Sequence, residues 1–93
     1  MSYRTLTPSA LRRAAYDQLC ASGTVTTLEV KSRLRAAGFW ATQAAVSRGV
    51  ARLAGQAGWV WVDTGRHRIY AAHADDLPDF VPVHGTVFTL HLN

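Results

Sequence analysis

The side chains best equipped for chemistry in this chain are arginines set beside amides and hydroxyls. Arg48 has Gln43, Ala44, Ser47 and Arg52 around it at helical spacing, and a second group, Arg66-His67-Arg68, follows a glycine. A guanidinium is a planar fork of donors that grips a phosphate, or the O6/N7 edge of a guanine, with two hydrogen bonds. A glutamine amide does the same for the N6/N7 edge of an adenine. Groups able to catalyse are scattered by comparison. His67, His73, His84 and His91 fit neither two ligands on one helical face nor a zinc knuckle. A single cysteine, Cys20, excludes an internal disulfide and a cysteine metal cluster. Asp75 and Asp76 face opposite ways in any extended segment, and there is no Gly-rich phosphate loop or Ser/His/Asp pattern. The expectation is a binding protein rather than an enzyme, with no cofactor and no metal.

Charge says what such a surface would bind. The 93 residues carry 10 Lys+Arg against 6 Asp+Glu, a net charge of +4. Residues 1–72 hold every basic residue and three acids (Asp17, Glu29, Asp63), a net +7, whereas 73–93 hold only acids (Asp75, Asp76, Asp79), a net −3. A basic body favours a polyanion, and nucleic acid is the commonest one inside a cell. A hydrophobic content of 48% is ample for one core and the length is too short for two. The start, MSYRTLTPSALRR, lacks the apolar run of a signal peptide, and no stretch reaches the ~18 apolar residues of a membrane span. The chain reads as cytoplasmic, from a prokaryotic cell or encoded on a phage or plasmid, without membrane contact.

Three helices are predicted to position these residues. Thr7-Pro8 opens the first, over about 8–21, with a Leu6/Leu11 staple, an apolar stripe of Leu11, Ala15 and Leu19, and a stop at Gly23. Thr24-Val25-Thr26 suits one short strand pairing, and Thr26 with Glu29 forms a capping box for a second helix. That helix has Val30, Leu34 and Ala37 on its apolar side, Lys31, Arg33 and Arg35 mostly in water, and Gly38 at its end. After a turn, 38–41, in which Phe39 and Trp40 plug the core, Thr42 caps a third helix through Ala57. Val46, Val50, Leu53 and Ala57 form its buried stripe, leaving Ala44, Arg48, Ala51, Arg52 and Gly55 outward, with Gln43 and Ser47 on the flank. Beyond Gly58 the period falls to two: Trp59–Asp63 and Arg68–Ala72, joined by Thr64-Gly65-Arg66-His67, form a β-hairpin with a basic tip.

The order helix, short strand, helix, tight turn, helix, hairpin, together with the run from Thr42 through Val46-Ser47-Arg48-Gly49-Val50 to Leu53 and Gly58-Trp59-Val60, resembles the winged helix-turn-helix of transcriptional regulators. The resemblance covers about residues 8–72 and implies an α+β winged-helix domain over 1–72. It also implies a sequence-specific double-stranded DNA-binding regulator of transcription. Residues 43–57 would be the recognition helix in the major groove, and 63–68 the wing on backbone or minor groove. The DNA contacts expected on that basis are Gln43, Ala44, Ser47, Arg48, Arg52, Arg66, His67 and Arg68.

The C-terminal segment matches no part of that pattern. Residues 73–93 read as an acidic connector and a terminal strand, with Thr86, Phe88, Leu90 and Leu92 on one face, packed on the same domain or on a dimer mate. A homodimer on a two-fold operator follows, because one winged helix makes few base contacts. The competing reading is a winged-helix adaptor or inhibitor that binds protein and not DNA, with Trp59, Trp61 and the terminal strand as its contact surface. The two tryptophans share a strand face, which covers either the helices or a partner.

Overall fold

The structure is a computed structural model and describes residues 2–78 and 83–84. It is an α+β arrangement of three helices, a two-stranded parallel sheet and a three-stranded antiparallel sheet. The elements in chain order are β1 (Arg4–Thr5), α1 (Pro8–Ser22), α2 (Thr27–Ala36), β2 (Phe39–Trp40), α3 (Gln43–Ala57), β3 (Val60–Asp63), β4 (Arg68–Ala71), a single 3-10 turn (Ala74–Asp76) and β5 (Val83–His84).

Each helix is bounded by its own local chemistry. The Thr7 hydroxyl accepts from Ala10 N at 3.2 Å, and the first helical position is Pro8, whose missing N–H had no helical partner to lose. Gly23 closes α1 at φ 82°, where a side chain would be strained, and donates to Leu19 O at 2.7 Å. The Thr26/Glu29 capping box is complete: Glu29 N donates to Thr26 Oγ1 at 3.3 Å and Thr26 N donates to Glu29 Oε1 at 3.1 Å. Thr42 caps α3 by accepting from Ala45 N at 3.3 Å.

The helices enclose one core built from Leu11, Ala15, Val25, Val30, Leu34, Val46, Val50, Leu53, Trp59 and Tyr70, all buried. Two apolar positions expected on buried stripes are exposed. Ala37 is the C-cap of α2 rather than part of its face, and Ala57 lies beyond the buried stripe of α3. The stripe ends at Leu53 and Ala54 because the chain turns back after Gly58, with Trp59 N donating to Ala54 O at 2.9 Å. Where α1 crosses α3, a Cβ built on Gly49 would stand 2.3 Å from Leu11 Cδ1, so the missing side chain is what lets Leu11 enter the core. A polar clasp joins α1 to α2 alongside. The buried Gln18 amide donates to Glu29 Oε2 and to Ser22 Oγ, both at 3.0 Å, while Arg33 Nε donates to its carbonyl at 2.7 Å. Every polar atom of this amide therefore has a partner, which makes its burial affordable.

The antiparallel sheet has two covered faces. Its strands pair Val60 with Ala71, Trp61 with Tyr70, Val62 with Ile69 and Asp63 with Arg68. Trp61 and Tyr70 face the helices with Trp59, so the tryptophan pair covers the chain's own core, the first of the two roles open to it. Val60, Val62 and Ala71 form a second cluster with buried Leu77 and half-buried Val83. The stretch expected to be an irregular connector thus begins as a cover for this sheet, with the 3-10 turn directing Leu77 inward. β5 then pairs antiparallel with β3, Trp61 opposite His84 and Val62 opposite Val83. The strand expected over 86–92, with Phe88, Leu90 and Leu92, lies outside the described residues, as do Asp79 and Pro82.

The α1–α3 crossing yields a paired test. Gly55→Ala, where nothing lies within 4 Å of a new Cβ, is expected to stabilise the fold by about 0.5–1 kcal/mol through helix propensity. Gly49→Ala is expected to destabilise it by about 1–2 kcal/mol despite the same propensity gain, because Leu11 must leave its position. Thermal melts of both variants and of Leu11→Ala/Gly49→Ala check this. A Gly49→Ala melt at or above the parent would refute the close approach.

Candidate functional site

The outward side of α3 stands between two grooves. At 100° per residue, Gln43, Ser47 and Ala51 fall along one flank, Ala44 and Arg48 along the crest, and Gly49, Arg52 and Gln56 along the other flank. On the first flank an open groove of about 810 Å³ runs between α3, the start of α2 and the hairpin tip. Gln43, Ser47 and Ala51 line it from α3, and Asp63, Gly65, Arg66, His67 and Arg68 line it from the hairpin. Thr26, Thr27 and Leu28 close its end. Ala44 and Arg48 are exposed on the crest. Arg52, also exposed, belongs to the second groove, between α3 and the start of α1.

Of the eight residues singled out from sequence, the first groove therefore gathers five: Gln43, Ser47, Arg66, His67 and Arg68. Arg48 and Ala44 stand beside it, and Arg52 is turned to the opposite flank. Sequence reasoning did not single out Thr27 and Leu28. The capping box was their available signal, since it marks where a helix end, with unpaired N–H groups in its first turn, must emerge.

Main-chain bonds and ring packing on the core set the hairpin's position relative to α3. Val25 N donates to Tyr70 O and Tyr70 N donates to Val25 O, both at 2.8 Å, joining the segment between α1 and α2 to β4. Tyr70 is buried beneath the groove, with the Trp61 ring centroid 5.9 Å from its own. The Arg68 guanidinium lies 5.3 Å from the Trp61 ring centroid, which holds this cation against the strand. At the tip, Gly65 (φ 90°) donates its N–H to Asp63 Oδ1 at 2.9 Å, and Thr64 N donates to His67 O at 3.0 Å. These bonds present Arg66 and His67 outward on a closed turn.

The turn leading into α3 has its own supports, and they consume arginines. Arg35 donates from Nε and Nη2 to Ala41 O at 3.0 and 2.9 Å and stacks 4.3 Å over Trp40. Arg4 donates to Ala37 O at 2.8 Å and lies 4.3 Å over Phe39. Here β1 and β2 pair in parallel, Arg4 with Phe39 and Thr5 with Trp40, where sequence suggested only a turn. Phe39 packs against the core as a plug, but Trp40 is 53% exposed and meets Tyr3, itself 46% exposed, at 5.7 Å between ring centroids. Arg35 is half-buried rather than solvated, because the Ala41 carbonyl at the head of α3 needs its donors.

Among the described residues, no group of three or more His, Cys, Asp or Glu side chains is placed to hold a metal ion, and no helix is long and apolar enough to cross a membrane. Comparison with family models, with curated proteins and with solved structures finds no match for the chain.

The tip geometry is testable without a ligand. Asp63→Ala removes the acceptor of the Gly65 N–H, a loss of about 0.5–1.5 kcal/mol. Amide exchange at Gly65 and Arg66 is expected to accelerate while α1–α3 stay protected. Unchanged exchange at the tip would show that the Asp63 bond does not hold it.

Proposed function

We propose that the chain is a winged helix-turn-helix protein that binds double-stranded DNA sequence-specifically and regulates transcription by occupying its site. One observation carries this reading: α3 and the hairpin tip share a groove in which Gln43 and Ser47 stand opposite Arg66, His67 and Arg68, with Arg48 exposed on the adjoining crest. A helix of 15 residues is about 22 Å long, and its width suits the major groove. With α3 in that groove, Arg48 donates two hydrogen bonds to a guanine and Gln43 reads an adenine. Ala44 and Ala51 are small enough for close approach to thymine methyl groups. Ser47 and Arg52 reach the phosphates on either side, and the hairpin tip meets the neighbouring minor groove or its backbone. The first-turn N–H groups of α2, at Thr27 and Leu28, add a phosphate contact at the groove's end. Two copies on two-fold-related half-sites would double this interface.

The second reading, a protein-binding winged helix, draws on a different surface from the one sequence suggested. Trp59 is buried and Trp61 packs on the core, but Tyr3 and Trp40 stand exposed together. Exposed tyrosine and tryptophan are enriched in protein interfaces. DNA binding unaltered in Trp40→Ala, with loss of a co-purifying protein, would assign that patch to a partner.

Two substitutions separate base reading from backbone contact. Arg48→Ala is expected to cost about 1–3 kcal/mol on a selected site and little on random duplex, with no change in melting temperature. An equal loss on both would make Arg48 a phosphate contact. Arg66→Ala with Arg68→Ala is expected to weaken binding to all sequences alike and to reduce the salt slope by up to about two contacts. An unchanged slope would remove the hairpin from the interface.

A further inference from the structure

The groove on the far flank of α3 has the build of a small-molecule site. It is a half-open cavity of about 530 Å³ between α3 and the start of α1, a volume typical of ligand pockets. Half-buried Leu6 and buried Leu11 and Leu53 supply its apolar lining, with Leu11 packed over Gly49 where the two helices cross. Arg12 of α1 and Arg52 of α3, both exposed, line the same cavity, and none of the described residues lining it is acidic. Unlike Arg4, Arg33 and Arg35, neither makes a side-chain hydrogen bond or an aromatic contact among the described residues.

We propose that this cavity binds a small organic carboxylate with an apolar body, its charge held between Arg12 and Arg52 and its body against Leu6, Leu11 and Leu53. The charge pattern selects that class. Two cations on one cavity without a counter-charge repel each other, and an anion between them removes the repulsion while accepting from both guanidiniums. A bare inorganic anion would leave half-buried Leu6 and the apolar floor beside it uncovered, and a neutral apolar molecule would give the two guanidiniums no acceptor.

The test needs no DNA. The full chain, labelled with nitrogen-15, is titrated with 4-phenylbutyrate, with its neutral primary amide, and with inorganic phosphate. With the carboxylate, the amides of Gly49, Arg52, Leu53 and Gln56 are expected to shift saturably, with a dissociation constant of roughly 0.1–1 mM. The amide and phosphate should bind at least about tenfold more weakly. Arg12→Gln and Arg52→Gln should each weaken the carboxylate about threefold or more, with the remaining spectrum of the folded protein unchanged. The proposal is overturned if those amides do not move, if either control binds as well as the carboxylate, or if both arginine variants bind it like the parent.

Discussion

Two main-chain hydrogen bonds between Val25 and Tyr70, with Trp59, Trp61 and Tyr70 packed on the helical core, hold the hairpin to the helices and define the groove. A two-stranded hairpin is marginal alone in water, so its orientation must come from what it leans on. Val25 reaches Tyr70 because α1 stops sharply at Gly23 and α2 starts sharply at Thr26, leaving only Thr24 and Val25 between the two caps. The side chains reinforce the same junction: Val25 is fully buried and Tyr70 nearly so. Once β4 is set there, β3 follows by register. The turn at 64–67 then stands over the flank of α3 that carries Gln43, Ser47 and Ala51. Loss of this junction would leave both halves of the proposed interface intact and their spacing undefined.

The same economy governs the arginines. Ten basic residues suggest a broad phosphate-binding surface, yet Arg4, Arg33 and Arg35 are committed to carbonyl groups and rings of the chain itself. Each satisfies an acceptor where helices end or meet: Ala37 at the end of α2, Gln18 between α1 and α2, Ala41 before α3. Of the other seven, four belong to the proposed DNA face, Arg48 and Arg52 on α3 with Arg66 and Arg68 on the hairpin. Specificity in such an interface depends on the placement of single side chains more than on summed charge. That placement is set on α3 by the close contact with α1 at Gly49 and on the hairpin by the Val25–Tyr70 junction.

What was legible in the sequence followed from local rules. Thr7-Pro8, Gly23, Thr26 with Glu29, Thr42 and Gly58 each act through bonds to neighbours within four residues, so their effect shows in a short window. The hairpin was equally legible from its alternation and from Gly65. Illegible features depended on partners distant in sequence. Two-residue strands such as Arg4–Thr5 and Phe39–Trp40 are too short to show a period, and their pairing spans more than thirty positions. Gly49 has low helix propensity, and the reason for a glycine there shows only once Leu11 of α1 stands against it. Leu77 looked like part of a connector because the sheet face it covers, Val60 and Val62, is defined only once β3 and β4 have paired. For the candidate site, residue types and helix face were readable. The division between flanks, which parts Arg52 from Gln43 and Ser47, required the hairpin's position.

Affinity for a random DNA duplex, measured across a series of salt concentrations with the unmodified chain, tests the central claim most directly. Four arginines on the proposed face neutralise at most about four phosphates. The logarithm of affinity is therefore expected to fall with the logarithm of salt at a slope of about −2 to −4. No binding at low salt, or an affinity indifferent to salt, would contradict the account.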